Sequence, residues 1–395
     1  MNDRNVIGID IGKEKLNYCL LSGDGEIIVE GQVRNSKQGF GLLYELIQKN
    51  HAEIIFEATG VYSRRWQYFL EFNEAHYVRM NPLAAKKEMD ELRNTKNDKI
   101  DAKKLAVLQL RKKHAPTVIE DDVYQELRRQ GRFYSQITQD CADAKNRLQK
   151  VLEETFYTLH EVAETNTKRF YELAIIFPHV DLLKDKSIDE IFELIQSVTG
   201  YSKTKYSNAK QLKKLADTTC VAVRADSSAV NEVQYLAAKV LELTALKEKI
   251  ISEMLEEASD LEEVNILASI PGIGKQSAVT LIAEIGDIRR FKTPQKLNAF
   301  IGIDLRFSDS GKVKTSGVIS KRGSGEARRQ LYQIFQHIHM TDRNDDLKLT
   351  RWYNRRTLGM KGGKKKVIVG GMDRTLRLIY HLVMHDEYFD LAKQI

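Results

Sequence analysis

The 395-residue sequence is short of the residues that staple, break or anchor a chain. Its three cysteines, Cys19, Cys141 and Cys220, lie far apart without CxxC spacing. Neither a zinc site nor a disulfide framework is indicated, and a reducing compartment is expected. Only five prolines leave long stretches in which nothing interrupts a helix. No apolar run approaches the roughly 18 residues that a membrane span needs, and polar residues 1–5 lead straight into a strand instead of a signal-peptide core. A cytoplasmic protein is expected. No internal repeat or low-complexity tract stands out.

What is present fits a soluble globular protein of two or three domains, with 42% hydrophobic and 30% charged residues. Lys plus Arg outnumber Asp plus Glu by 62 to 55, a net charge of +7, which favours polyanionic partners through counterion release. The excess is concentrated in residues 312–366, among them Lys321, Arg322, Arg328, Arg329, Arg351, Arg355, Arg356, Lys364, Lys365 and Lys366. A surface that touches nucleic acid is the expected reading.

Three styles of sequence follow one another. Residues 6–10, 16–21 and 27–33 predict strands, the last two separated by Ser22-Gly23-Asp24-Gly25. A helix with Phe40, Leu43, Leu46 and Ile47 follows, then a buried strand at 54–56, an amphipathic run at 66–72, a strand at 77–80, and a helix carrying Leu105 to Leu110. The order β-β-β-α-β-α-β-α predicts an α/β domain with a mixed sheet. After Pro116 long amphipathic helices are expected at about 122–164 and 230–263, suited to a coiled-coil hairpin or bundle, with a helical insert at about 170–225. From about residue 266 short helices alternate with Gly-, Ser- and Lys/Arg-rich loops.

Four carboxylates carry the chemistry. Asp10 ends the apolar run Ile7-Gly8-Ile9, Glu57 ends Ile54-Ile55-Phe56, and Asp98 and Asp101 sit three residues apart where a helix begins. Breaking a phosphodiester needs an activated nucleophile and neutralised charge on the phosphoryl oxygens, which divalent ions held by several carboxylates supply. Asp98 also suits an N-cap favoured by the helix dipole. Two acids closing two buried strands are harder to explain without a site.

Gly8-Ile9-Asp10, Phe56-Glu57-Ala58-Thr59-Gly60 and Asn97-Asp98-Lys99-Ile100-Asp101-Ala102 together resemble the DEDD signature of the RuvC-like domain in the insertion-sequence one-ten transposases. Ile270-Pro271-Gly272-Ile273-Gly274, Phe300-Ile301-Gly302-Ile303, Ser310-Gly311 and Ile319-Ser320-Lys321-Arg322-Gly323 resemble the family's second hallmark region. The resemblance implies a RuvC/RNase H-like catalytic domain over residues 1–118, a long helical coiled-coil connection over 119–263, and a mainly helical C-terminal transposase domain over 264–395. It further implies a recombinase that excises and inserts its own element, guided by a structured bridge RNA that pairs with donor and target DNA. Asp10, Glu57, Asp98 and Asp101 would hold Mg2+ or Mn2+, and Ser310 would be the covalent nucleophile, in a homodimer or homotetramer associated with the nucleoid when acting. That mechanism requires the serine-bearing domain to meet a RuvC-like site, in the same chain or across a dimer. Asn97 replaces a common threonine, and the insert at 170–225 exceeds the short linker of some members, so RNA contacts there do not carry over.

Read without the resemblance, Ser310 competes with Ser308, Ser316 and Ser320. Residues 267–278 resemble a helix-hairpin-helix whose Gly272, Gly274 and Lys275 would grip phosphate, with a plain inter-helix turn as the alternative. Lys321, Arg322, Lys364 and Lys365 are further candidate nucleic-acid contacts. Trp352 and Tyr353 suit base stacking or a core. A junction resolvase using water, an actin-like ATPase built on Ile9-Asp10-Ile11-Gly12, and a non-catalytic scaffold are the competing functions.

Overall fold

The computed structural model describes residues 4–58, 60–89, 98–199, 205–310 and 313–393, and for 83, 84, 87, 89, 98–100, 198, 199, 305–310 and 313–318 the backbone alone. The chain forms two compact units, Met1–Ile119 and Glu120–Ile395.

The first unit is a five-stranded mixed sheet with helices on both faces. Its elements are β1 (Val6–Ile11), β2 (Lys15–Leu21), β3 (Ile27–Arg34), α1 (Lys37–Lys49), β4 (Glu53–Glu57), α2 (Ser63–Phe72), β5 (Tyr77–Met80), α3 (Pro82–Met89) and α4 (Asp98–Lys112). The strand order is β3-β2-β1-β4-β5. β1, β2 and β3 pair antiparallel, whereas β1, β4 and β5 run parallel. This is the expected mixed sheet, with two helices rather than one after β5.

Strand periodicity sorts the side chains. Ile7, Ile9 and Ile11 of β1 and Ile54 and Phe56 of β4 pack with Phe40, Leu43, Trp66 and Leu70 of α1 and α2. Val6 and Ile55 belong instead to the opposite cluster, with Ala102, Leu105 and Ala106 of α4. Because successive side chains alternate, Gly8, Asp10 and Glu57 share the face that α4 covers. At Gly8 the covering is direct: a Cβ there would stand 2.6 Å from the Ala106 amide nitrogen, and closer still to the Ala102 carbonyl oxygen. Glycine in mid-strand thus lets the helix backbone lie on the sheet. The other end of α4 is pinned by Gln109, whose Nε2 donates to Glu53 at 2.9 Å. Arg4 completes that clamp with ion-paired hydrogen bonds to the same carboxylate, and its guanidinium holds the Glu53 pKa down. α4 therefore runs antiparallel to β4, from the Glu57 end to the Glu53 end.

The second unit is mainly helical. α5 (Asp122–Thr155) buries a stripe at three- and four-residue spacing, including Tyr124, Leu127, Tyr134, Ile137, Cys141, Leu148 and Leu152. It packs on α9 (Ser228–Glu257). A Cβ at Gly131 would lie 3.5 Å from Met254, and Cys141 lies 3.9 Å from Thr244, so the two helices are antiparallel. Between them come α6 (Lys168–Ile176), α7 (Ile188–Thr199) and α8 (Tyr206–Thr218), the first ending just before Pro178. Beyond α9 follow α10 (Glu262–Ala268), α11 (Lys275–Ile285), α12 (Pro294–Ile301), the hairpin β6 (Leu305–Ser310) and β7 (Val313–Ile319), then α13 (Gly325–Thr341), α14 (Lys348–Thr357) and α15 (Lys364–Met384).

The hairpin departs from the expectation that only short helices and loops follow residue 266. Val313, Thr315, Val318 and Ile319 favour extended backbone, and a glycine between two such runs is a hairpin cue. Ser308 pairs with Thr315 and Ser310 with Val313. The hairpin's base is stitched to the segment that follows α12 by backbone bonds from Ser320 to Asp304 (2.8 Å) and from Lys321 to Gly302 (3.1 Å). Gly302 and Gly323 make that seam possible, because a Cβ on Gly302 would stand 2.6 Å from the Gly323 nitrogen.

Candidate functional site

Asp10 is the penultimate residue of β1 and Glu57 the last of β4. The register pairs Ile9 with Phe56, so the two acids follow at the next step on adjacent parallel strands. Asp98 opens α4, and Asp101 lies one turn further on, immediately before the Ala102 that rests on Gly8. Sheet register and the glycine contact thus bring three of the four acids to one end of the sheet. The side chain of Asp98 lies outside the described residues.

Electrostatics report the same convergence. The Glu57 carboxyl is pushed above its ordinary range, first by burial and then by repulsion from Asp10 and Asp101. Lys104 stands 3.7 Å from Asp101 and offsets part of that charge. Among the described residues, no three His, Cys, Asp or Glu side chains close to metal-holding distance. A Glu57 carboxyl whose pKa is raised by burial, Asp10 and Asp101, with Asp98 on the same helix turn as Asp101, nevertheless fits a hard divalent cation, since oxygen donors of this kind are what such an ion takes.

The sequence reading missed Asn35, which joins the loops behind the acid-bearing strands. It is buried, 7% exposed. Its Nδ2 donates to the Gly12 carbonyl at 2.8 Å and to the Tyr62 carbonyl at 3.4 Å, while its backbone amide donates to Glu14 at 2.8 Å. Gly12 lies two residues beyond Asp10 and Tyr62 five beyond Glu57, so one side chain links the segments that follow both acids. A lone asparagine after a strand gives no sequence signal of this. Asn35→Ala leaves two carbonyls without their donor and is expected to destabilise the first unit by about 1–3 kcal/mol. Thermal melting of the variant checks this, and unchanged melting would contradict it.

The remaining candidates lie in the second unit. Ser310 closes β6, and its side chain, like those of Ser308 and Ser316, lies outside the described residues. Ser320 is buried and its hydroxyl donates to Asp304, a structural bond at the hairpin base. Lys321, held at φ 54°, and Arg322 are exposed on the turn that follows. In the turn between α10 and α11, Gly272 (φ 88°) packs on the backbone of α13: a Cβ would stand 2.5 Å from the Ile338 Cα. Gly274 is exposed and caps α11 without a side-chain partner, and Lys275 and Gln276 beside it are exposed. Lys364 and Lys365 begin α15 on the surface. The adjacent aromatics separate: Tyr353 is core, against Phe335 and His339, whereas Trp352 is half-buried.

Acids gathered at the ends of adjacent strands in a mixed sheet, followed by a helical unit with exposed cations, fit an enzyme that works on nucleic acid. Residues 7–157 match a family model described as Transposase, of the DEDD IS110 type, and residues 264–348 match the model of the Transposase IS116/IS110/IS902 family. The chain is also 21% identical over 394 residues to the transposase for insertion sequence element IS1111A of Coxiella burnetii (strain RSA 493 / Nine Mile phase I), covering 98% of this chain and 92% of that one. The chain belongs to the IS110 family of transposases and is an enzyme acting on DNA. DEDD-type transposase domains generally use divalent metal ions. Among the described residues no helix is long and apolar enough to cross a membrane.

Proposed function

We propose that this transposase cuts and rejoins DNA with two groups of residues, the carboxylates Asp10, Glu57, Asp98 and Asp101 and the hydroxyl of Ser310, and that a structured bridge RNA selects donor and target. The observation that carries the metal part is the placement of Asp10, Glu57 and Asp101 at one end of the sheet, where burial, Asp10 and Asp101 together raise the Glu57 pKa. Mg2+ or Mn2+ bound there would neutralise charge developing on a phosphoryl group. The α4 N-terminus adds to the attraction for anions at the same end.

In the covalent step the Ser310 oxygen forms a bond to phosphorus as one phosphodiester P–O bond breaks. The serine proton leaves, and the departing deoxyribose oxygen takes one up. The phosphoserine keeps the bond energy for rejoining. Support for Ser310 comes from the family resemblance. Among its rivals, Ser320 is engaged with Asp304. Lys275, Lys321, Arg322, Lys364 and Lys365 supply exposed cations for backbone phosphate. The RuvC-like fold, the coiled-coil character of the α5 and α9 pair, and a homodimer or homotetramer belong to the same proposal, as do domains divided at about residues 118 and 263.

Ser310→Ala is expected to abolish a denaturation-resistant protein–DNA adduct and recombination between plasmid-borne donor and target. Ser320→Ala is expected to lower stability while the adduct still forms. An adduct in Ser310→Ala would move the nucleophile elsewhere, and cleavage to free ends without any adduct in the wild type would favour a water-using resolvase. Guidance is tested by sequencing RNA that copurifies: a defined transcript flanking the element supports it, and bulk cellular RNA refutes it.

A further inference from the structure

Trp352 on α14 lies across α15 at Gly370, where a Cβ would stand 2.9 Å from the indole. One helical turn on, the Arg374 guanidinium covers the ring at 4.5 Å from its centroid. Beside this stack opens a cavity of about 470 Å³. Ile270 of the hairpin turn, Leu378 and Phe389 give it apolar walls, and Lys348, Arg374 and Arg377 supply cations around it. Arg377 is paired with Asp373 on its own helix, while none of the described residues lining the cavity is acidic.

We propose that this cavity receives an unstacked base from a single DNA strand, with the base against the Arg374–Trp352 stack and the flanking phosphates on the surrounding cations. Cutting and exchanging strands unpairs bases, and an unpaired base loses stacking that an aromatic face and a guanidinium plane restore. The volume lies within the range of small-ligand pockets and suits one base rather than a helix or a duplex. Charge complementarity selects the occupant: apolar walls ringed by cations, with no acidic residue among the described lining residues, match a base carried on phosphates. The glycine at 370 is what lets the indole settle on α15 beside the cavity, whereas Tyr353, its neighbour in sequence, is spent on the core.

The chain has two tryptophans, and Trp66 is fully buried in the first unit, so changes in emission on binding report Trp352. A short single-stranded DNA titrated into the full chain is expected to quench that emission, while the same sequence as duplex leaves it unchanged. Trp352→Phe should abolish the quench and weaken single-strand binding roughly 10-fold, with duplex affinity retained. Arg374→Gln, on an exposed side chain, should weaken single-strand binding too, and it carries the test should Trp352→Phe lower the melting temperature. Wild-type single-strand affinity in Arg374→Gln and Trp352→Phe overturns the proposal, as does equal quenching by duplex. Quenching by the matching RNA but not by DNA would also overturn it, giving the cavity to RNA.

Discussion

Replacing Asp10 by Asn is expected to lower DNA strand cleavage by more than about 100-fold while the first unit stays folded. Outer-shell partners of metal ligands already cost about 10–100-fold when removed, and Asp10 is proposed as a ligand itself. Asn keeps the size of the side chain and removes the charge that Glu57 feels. Glu57→Gln should give the same loss of cleavage with a second, opposite signature. The folded state raises the Glu57 pKa, so it binds that proton more tightly than the unfolded chain does. The contribution of Glu57 to stability is therefore fully present below the ordinary glutamate range and is lost as pH rises through the elevated value. At neutral pH in EDTA the Gln variant should melt higher than wild type, since it lacks the repelled charge. Lower melting in EDTA, or retained cleavage, would contradict the role given to Glu57.

Gly8→Ala should be almost as damaging without touching a carboxylate. Its Cβ would meet the backbone of α4 at Ala106, 2.6 Å away, and at Ala102 more closely still, and backbone cannot swing aside as a side-chain tip can. The helix would have to back away by about 1 Å, a displacement that at an active site costs on the order of 100-fold. Overpacking of this kind also costs about 1–3 kcal/mol. Cleavage assays with melting curves separate the two losses. Wild-type cleavage in Gly8→Ala would show that the approach of α4 to β1 does not set the site.

These two predictions mark where the sequence was legible. An acid closing an apolar strand is visible in the one-dimensional pattern, because alternation and strand ends are local properties. The strand-end positions of Asp10 and Glu57 and the order of strands were readable on that basis, as was the helix that begins at Asp98. Gly8 was visible as a letter in a motif, but its purpose depends on a helix some 94 residues later resting on it. Asn35 was not visible at all, since its partners Gly12 and Tyr62 are brought together only by sheet pairing. The β6–β7 hairpin was missed because its polar, serine-rich first strand lacks a strong apolar alternation, and pairing with the β-branched second strand decides its backbone. Trp352 and Tyr353 could not be told apart in sequence. One faces Phe335 and His339, the other lines a cavity, and only the packing of α14 on α15 separates them.

The carboxylate cluster as a divalent-metal site is the centre of the account, and calorimetric titration of Mn2+ into the full-length protein at neutral pH tests it most directly. Saturable binding is expected in the wild type, weakening as the pH is lowered toward the raised Glu57 range because protons compete for the same oxygens. The binding should vanish in Asp10→Asn and Glu57→Gln. Equal binding in the wild type and both variants, together with strand cleavage that persists in EDTA, would contradict it.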